Sequence, residues 1–156
     1  MSRHLYFIDG NNVIGKMTEL QRLQSSNKQR TRELLTSKVD SYFRAKKHAA
    51  VTIFFDGHPG DGVPVSHIQI KYSENKSADD LIKQSIDYSK NPKLITVVSS
   101  DNSVAGYARK SSCTVLLAED FAKQLTHGKQ EDEEEKRISS MQNDVEEFER
   151  LFGVKK

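Results

Sequence analysis

Five acidic residues occupy places in this sequence where chemistry is commonly built. Asp9, Asp56 and Asp101 each end a short apolar run, and Asp79 and Asp80 open a segment with apolar residues at helical spacing. In parallel α/β sheets, ligands bind in the crevice beyond the carboxyl ends of the strands. Acids at those ends would meet in one cleft and repel one another, and a hard divalent cation such as Mg²⁺ or Mn²⁺ would relieve that repulsion.

A divalent cation held by such acids can polarise a phosphodiester, orient a water nucleophile and stabilise the leaving oxygen. The sequence therefore predicts a metal-dependent nuclease, with Asp9 and Asp101 among its acids and Asp79 or Asp80 as a further one. Asn11 and Asn12 follow Asp9 directly, and their neutral amides could orient a phosphate or a water without adding repulsion.

Each of these residues also has a purely structural interpretation. A strand-end Asp can be a turn residue or a helix cap, and paired acids suit the first turn of any helix. Three strands that all end in Asp nevertheless favour a shared site. A supporting role is predicted for the polar residues beside the main acids, namely Asp56, Asn11 and Asn102.

Apolar patterning predicts the elements that position these acids. Helices are expected at 28–47, after Ser77, after Asp101 and from residue 119, alternating with five strands at 4–9, 49–56, 66–73, 93–101 and 113–118. This alternation predicts an α/β fold with a mostly parallel sheet covered by helices on both faces. The alternating pattern of 66–73 indicates a less buried strand at the sheet edge.

The basic residues cluster in one part of the chain, although the net charge is only +2. Residues 16 to 47 hold nine basic and three acidic residues, whereas 131–135 is an unbroken acidic run. Such a patch suits a polyanion such as nucleic acid, and a solvated helix face is the equal alternative. The residues predicted to contact nucleic acid are Lys16, Arg22, Lys28, Arg30, Arg32 and Lys38.

Length and composition narrow the class of protein. The 156 residues predict one domain at 1–127, followed by a charged linker and a C-terminal helix at 128–156. The absence of an apolar run of about 20 residues or a leader-like start predicts a cytoplasmic protein without membrane contact. A single cysteine, Cys113, excludes an internal disulfide and a cysteine-rich zinc site.

Four segments in series resemble the NYN branch of the PIN-like nucleases, and in particular its YacP-like group. They are FIDGNNVIG (7–15), IFFDGHPG (53–60), KSADDLI (76–82) and VVSSDN (97–102). The resemblance covers most of 4–126, and FERLFG near the end is similar to the terminal helix of that group. It implies a three-layer α/β/α, Rossmann-like PIN fold with strand order 3-2-1-4-5 and a Mg²⁺- or Mn²⁺-dependent endoribonuclease site.

The same resemblance implies a role for individual residues. By match of motif, Asp9 is the first metal-binding acid, with Asn12 beside it, and Asp101 is the last. Asp79 and Asp80 share the second position, where Asp80 is preferred. RNA, free or within a ribonucleoprotein, is the implied partner.

The sequence departs from the family pattern at one place. Some members have a further acid four residues after the last strand-end Asp, where this chain has Ala105. A single-metal site is therefore an alternative to a two-metal site, and an RNA-binding module with little or no turnover is an alternative to the enzyme. An aspartyl phosphatase is disfavoured because Asn11 stands where a second acid is needed.

Overall fold

The computed structural model describes residues 3–63 and 67–127, which form a single five-stranded sheet with helices on both sides. The strands are β1 (His4–Asp9), β2 (Ala49–Phe55), β3 (Gln69–Tyr72), β4 (Ile95–Val98) and β5 (Thr114–Leu116). The helices are α1 (Gly10–Ile14), α2 (Thr18–Gln24), α3 (Lys28–Phe43), α4 (Ala78–Tyr88) and α5 (Asn102–Lys110), and residues 118–127 form a further helix, α6. A 3-10 turn at Pro92–Leu94 precedes β4.

The strand order is β3-β2-β1-β4-β5, and every neighbouring pair is parallel. This confirms the predicted order and makes the sheet fully parallel. The chain moves outward from β1 to β3 and then returns to the other side of β1 at β4. That reversal of direction places the carboxyl ends of β1 and β4 side by side, which is the switch point where ligands bind in open α/β sheets.

The sheet is buried on both faces, as the apolar runs of its strands predict. One face packs against α1, α2, α3 and α6 through a cluster that includes Ile8, Val13, Leu35, Val39, Phe55 and Phe121. The other packs against α4 and α5 through Phe7, Phe54, Ile82, Ile86, Val97 and Val104. β3 lies at one edge and alternates between exposed and half-buried residues, as its sequence pattern predicts.

Two short helices, α1 and α2, occupy a stretch for which no helix was predicted. α1 begins directly at the end of β1, so the chain turns sharply at Gly10. A Cβ atom at Gly10 would lie 2.6 Å from the Phe55 ring and 2.9 Å from the Phe54 carbonyl oxygen. Glycine thus permits the start of α1 to pack closely against the end of β2, where Asn11 bonds to Asp56.

Several boundaries differ from the sequence expectations. α3 ends at Phe43 and not at residue 47, and β3, β4 and β5 are each shorter than their apolar runs. The predicted C-terminal helix and the acidic run at 131–135 lie outside the described residues. Within residues 3–63 and 67–127, no helix has the length and apolar character needed to cross a membrane.

Candidate active site

Asp9 and Asp101 lie at the same edge of the sheet and share one buried hydroxyl. The Ser99 Oγ donates to Oδ2 of Asp9 at 2.9 Å and accepts the backbone N–H of Asp101 at 3.1 Å. Ser99 is fully buried, so both bonds are shielded from competition with water. The structure therefore brings together two acids that are 92 positions apart in the chain.

The carboxyl group of Asp9 is poorly solvated, since the residue is only 4% exposed. Its pKa is raised from 3.8 to about 6, chiefly by burial and to a lesser extent by the nearby charges of Asp79 and Asp56. The hydroxyl of Ser99 and the backbone N–H of Asn12 act in the opposite direction. An ionised Asp9 is thus unfavourable in this cleft unless a cation is bound to it.

Asp79 faces the other acids from the first turn of α4. It is half-buried, and its pKa is raised by burial first and then by the charges of Asp101, Asp56 and Asp80, while Lys83 lowers it. Asp80, the next residue, is exposed. The prediction that preferred Asp80 over Asp79 is therefore not supported by where the two side chains lie.

Asp101 also has the structural role that its position allows. Its Oδ1 accepts the backbone N–H groups of Ser103 at 2.9 Å and Val104 at 3.2 Å, which caps the N-terminus of α5. The cap fixes the side chain at the sheet edge. The second carboxylate oxygen, Oδ2, makes neither of these bonds, so capping and metal binding are compatible in one residue.

Asn12, predicted to take part in the chemistry, and the predicted supporting residues Asn11 and Asp56 form hydrogen bonds along this edge. Asn12 Oδ1 accepts the backbone N–H of Ser100 at 2.7 Å, and Asn11 Oδ1 accepts that of Asp56 at 3.0 Å. These bonds orient both amides, which leaves the Nδ2 groups as donors for another partner. Asn102 is exposed as the first residue of α5.

Sequence reasoning missed three contributors, Ser99, Ser100 and Glu119. Ser100 Oγ donates to Oε2 of Glu119 at 2.6 Å and accepts the backbone N–H of Ala118 at 2.9 Å. Lys16 Nζ lies 3.9 Å from the same Glu119 oxygen. Glu119 has a lowered pKa, chiefly because of the Ser100 hydrogen bond. The small polar residues that follow β4 were the only signal in the sequence.

The basic residues predicted to contact RNA differ in their accessibility. Lys16, Arg22, Lys28 and Arg30 are exposed and Lys38 is half-buried. Lys28 lies by the loop after β2, since its Nζ would be 3.7 Å from a Cβ at Gly57. The assignment of Arg32 to RNA contact is wrong, because Arg32 is 5% exposed and its guanidinium donates to two backbone carbonyls.

The donor set fits a hard divalent cation in kind. Asp9, Asp79 and Asp101 offer carboxylate oxygens, and Mg²⁺ commonly uses one or two carboxylates together with waters and substrate oxygens. None of the ion pairs found among the described residues neutralises these three acids. Within the same residues, no group of three or more His, Cys, Asp or Glu side chains is arranged to hold a metal ion.

A comparison with protein families identifies the family to which this chain is related. The model of the YacP-like NYN domain matches residues 6–151. The chain belongs to the YacP-like NYN domain family. This confirms the resemblance carried by the four segments, and it covers all the acids described above.

Solved structures agree with the family in fold. A point mutant of Rae1 (YacP) from Bacillus subtilis is similar with a TM-score of 0.72 and 20% sequence identity, over 90% of this chain and 85% of that chain. A second crystal structure of Rae1 (YacP) from Bacillus subtilis has a TM-score of 0.66 and 16% identity, over 96% of this chain and 87% of the other. No curated protein sequence matches the chain.

NYN domains of the YacP type form a ribonuclease family, and NYN nucleases generally depend on divalent metal ions. Membership therefore indicates a nuclease with RNA as its substrate. Family membership alone does not identify the catalytic residues, the metal ion or the mode of cleavage in this chain.

Proposed function

We propose that this protein is a divalent-metal-dependent endoribonuclease that hydrolyses RNA phosphodiester bonds in the cytoplasm. One observation supports the proposal above all others, namely the convergence of Asp9, Asp79 and Asp101 on one edge of a parallel sheet. Burial, and after it the repulsion between neighbouring acids, raises the pKa values of Asp9 and Asp79. The three carboxylates do not by themselves form a complete metal site in the described residues, so a divalent cation bound here would take waters and phosphate oxygens as its remaining ligands.

Asp9, Asp79 and Asp101 are the residues that would hold Mg²⁺ or Mn²⁺. When bound, such an ion would polarise the scissile phosphate and favour attack by water. Asn12, oriented through its Oδ1, offers Nδ2 to a phosphate oxygen. Ser99 holds Asp9 Oδ2 and the backbone of Asp101 in fixed relation, so both acids are positioned before substrate arrives.

The RNA strand would approach along a basic groove that borders this edge. The groove has a volume of about 600 Å³. Its lining includes three lysines, two glutamates and several apolar residues, among them Lys16, Lys38, Lys123, Glu19, Glu119, Met17 and Leu125. Lys16 connects the groove to the acids through Glu119 and Ser100, the residue before Asp101. Lysine side chains suit the phosphates of a single strand, and apolar side chains suit its bases.

A pair of adjacent variants tests the proposed site. Asp79→Asn is expected to lower the rate of RNA cleavage by more than about 100-fold, because it removes a proposed metal ligand. Asp80→Asn is the matched control, because it makes the same substitution at the next residue, whose side chain is exposed. Its cleavage rate is expected to stay within about threefold of the wild-type rate. Cleavage of end-labelled RNA with Mn²⁺, and with a chelator added, measures both variants.

The outcomes of that assay are distinct. Internal cuts that need Mn²⁺ and vanish with the chelator support the endonuclease. Equal loss in both variants, or loss in Asp80→Asn alone, would contradict the placement of Asp79 in the site.

The second candidate function is an RNA-binding module without turnover. Ala105 favours it, because the position at which some relatives have a further acid is here a buried alanine. Such a module would shift labelled RNA in a gel without shortening it, whatever metal is added. The cleavage assay therefore separates the two functions.

Charge removal in the groove tests the path of the RNA. Lys38→Ala combined with Lys123→Ala is expected to weaken RNA binding and to lower the slope of log affinity against log salt by about 1.4, since each phosphate contact in a single strand contributes about 0.7. Lys46→Ala with Lys47→Ala is the matched control, because these lysines line a surface with His4 and His48 at the opposite, amino edge of the sheet. Fluorescence anisotropy with a labelled RNA, repeated at several salt concentrations, gives both slopes. Equal slopes in the two double variants would contradict this path.

A further inference from the structure

Arg32 is a buried arginine that binds no acid within the described residues. Its Nη1 donates to the carbonyl oxygen of His58 at 2.8 Å, and its Nη2 donates to that of Asp56 at 2.6 Å. The guanidinium also lies 5.4 Å from the ring centroid of Phe55 and 5.2 Å from that of Tyr72. Arg32 thus connects α3 to the loop that follows β2 by a forked pair of hydrogen bonds.

That loop is held in one conformation by contacts from several sides. Gly57, between the two bound carbonyls, has a φ of +92°, a backbone conformation that glycine adopts readily. Its N–H donates to Ser73 Oγ at 2.9 Å, and its carbonyl accepts the N–H of Glu74 at 2.8 Å. Because the Arg32 fork spans Asp56 and His58, it fixes the turn centred on Gly57.

The side chain of Asp56 passes this constraint to the site. Its Oδ1 accepts the backbone N–H of Ala78 at 2.7 Å, at the start of α4. Its own N–H donates to Asn11 Oδ1, in the helix that follows Asp9. One residue therefore connects the segment after Asp9 to the residue before Asp79.

We propose that Arg32 is a positioning residue, which sets the separation between Asp79 and Asp9 by holding the Asp56 loop against the start of α4. This inference rests on the proposed function and extends it to a side chain that touches neither metal nor substrate. The chain of contacts runs from Arg32 to the carbonyl of Asp56, from the Asp56 carboxylate to the N–H of Ala78, and from there to Asp79.

The chemistry of the contact explains why arginine suits this place. Burial of a cation is costly, and Nε of Arg32 has no hydrogen-bond partner among the described residues. A guanidinium offers a rigid fork of donors that can hold two carbonyls at a fixed spacing, whereas a lysine ammonium is a single point of charge on a flexible stem. Lysine would keep the charge near the two rings without the fork.

The test compares variants by amide exchange and by Mn²⁺ binding. In Arg32→Met, hydrogen exchange at the Ala78 amide of the metal-free protein is expected to accelerate by at least about tenfold, because release of the loop weakens its bond to Asp56. Affinity for Mn²⁺, measured by calorimetry, is expected to fall by about 10- to 100-fold. Arg32→Lys is expected to show both losses, since it restores charge but not geometry.

Two controls separate positioning from general stability. Arg44→Met removes an exposed arginine, whose only ion pair within the described residues is with Asp40, and both readouts are expected to stay unchanged. Val39→Ala weakens the core under the same helix without touching the loop, so it is expected to lower the melting temperature while Mn²⁺ affinity is retained. If Arg32→Met does not fold, Arg32→Lys provides the comparison.

The proposal is overturned if Arg32→Lys binds Mn²⁺ as the wild type does, because charge alone would then suffice. It is also overturned if Val39→Ala lowers the melting temperature as much as Arg32→Met does and loses the same degree of Mn²⁺ affinity. Failure of the proposed function is distinguishable, since in that case the wild type itself would neither bind Mn²⁺ nor cut RNA. The exchange rate at the Ala78 amide would still show whether Arg32 holds the Asp56 loop against the start of α4.

Discussion

Asp9→Asn is expected to abolish RNA cleavage and, at the same time, to stabilise the metal-free protein at pH 7 by about 3 kcal/mol. The wild-type carboxyl is buried and has a pKa of about 6 in place of 3.8. Its ionisation at neutral pH therefore costs folding free energy. Asparagine keeps an oxygen that can accept from Ser99 but has no charge to bury.

The size of this stabilising effect depends on pH. Below pH 4 the carboxyl is protonated in both the folded and the unfolded chain, so the variant gains nothing. Between about pH 4 and pH 6 the folded protein binds more protons at Asp9 than the unfolded chain does, so this residue's contribution lowers stability as pH rises. Above pH 6 the full cost is present, and there the gain of Asp9→Asn is largest.

Urea unfolding of both proteins at pH 4 and pH 7, with and without Mn²⁺, measures this difference. Mn²⁺ is expected to stabilise the wild type and to leave Asp9→Asn unchanged, because ligand binding to the folded state adds to its stability. Binding of Mn²⁺ to the wild type is expected to strengthen as pH rises through about 6, where Asp9 loses its proton. A variant less stable than the wild type at pH 7 would contradict a desolvated carboxylate.

Asp101→Asn is expected to lower cleavage by more than about 100-fold with almost no change in stability. Asn retains the Oδ1 that accepts the N–H groups of Ser103 and Val104, so the cap of α5 persists. The variant loses only the negative charge that a divalent cation needs. Asp101→Ala removes both features, and we expect it to lose the same activity and in addition about 1 kcal/mol of stability.

The pair of variants at position 101 separates capping from chemistry. Cleavage rates with Mn²⁺ and thermal unfolding of both proteins provide the data. If Asp101→Asn cut RNA at the wild-type rate, Asp101 would be a helix cap alone and the metal site would lose one of its three acids. Ser77 is a useful comparison, since it caps α4 through the Asp80 N–H without a charge of its own.

Much of the fold could be predicted because its determinants are local. Apolar runs located all five strands, and the spacing of Leu35, Val39 and Phe43 located the buried face of α3. Ser77 was predicted as the cap of α4 and has that role. The short helices α1 and α2 were missed, since seven or fewer residues show too little periodicity to be recognised.

The sequence by itself determined that an acid ends or closely follows three of the strands, and parallel pairing sends strand ends to a common edge. Only the tertiary structure distinguishes the surroundings of Asp79 and Asp80, because successive residues on a helix point about 100° apart and packing sets which of them is half-buried and which exposed. Packing alone likewise turned Arg32 inward from a basic segment and put Ser99 between two distant acids. Residue type and spacing state what a side chain can do, while the direction in which it points depends on contacts between segments far apart in the chain.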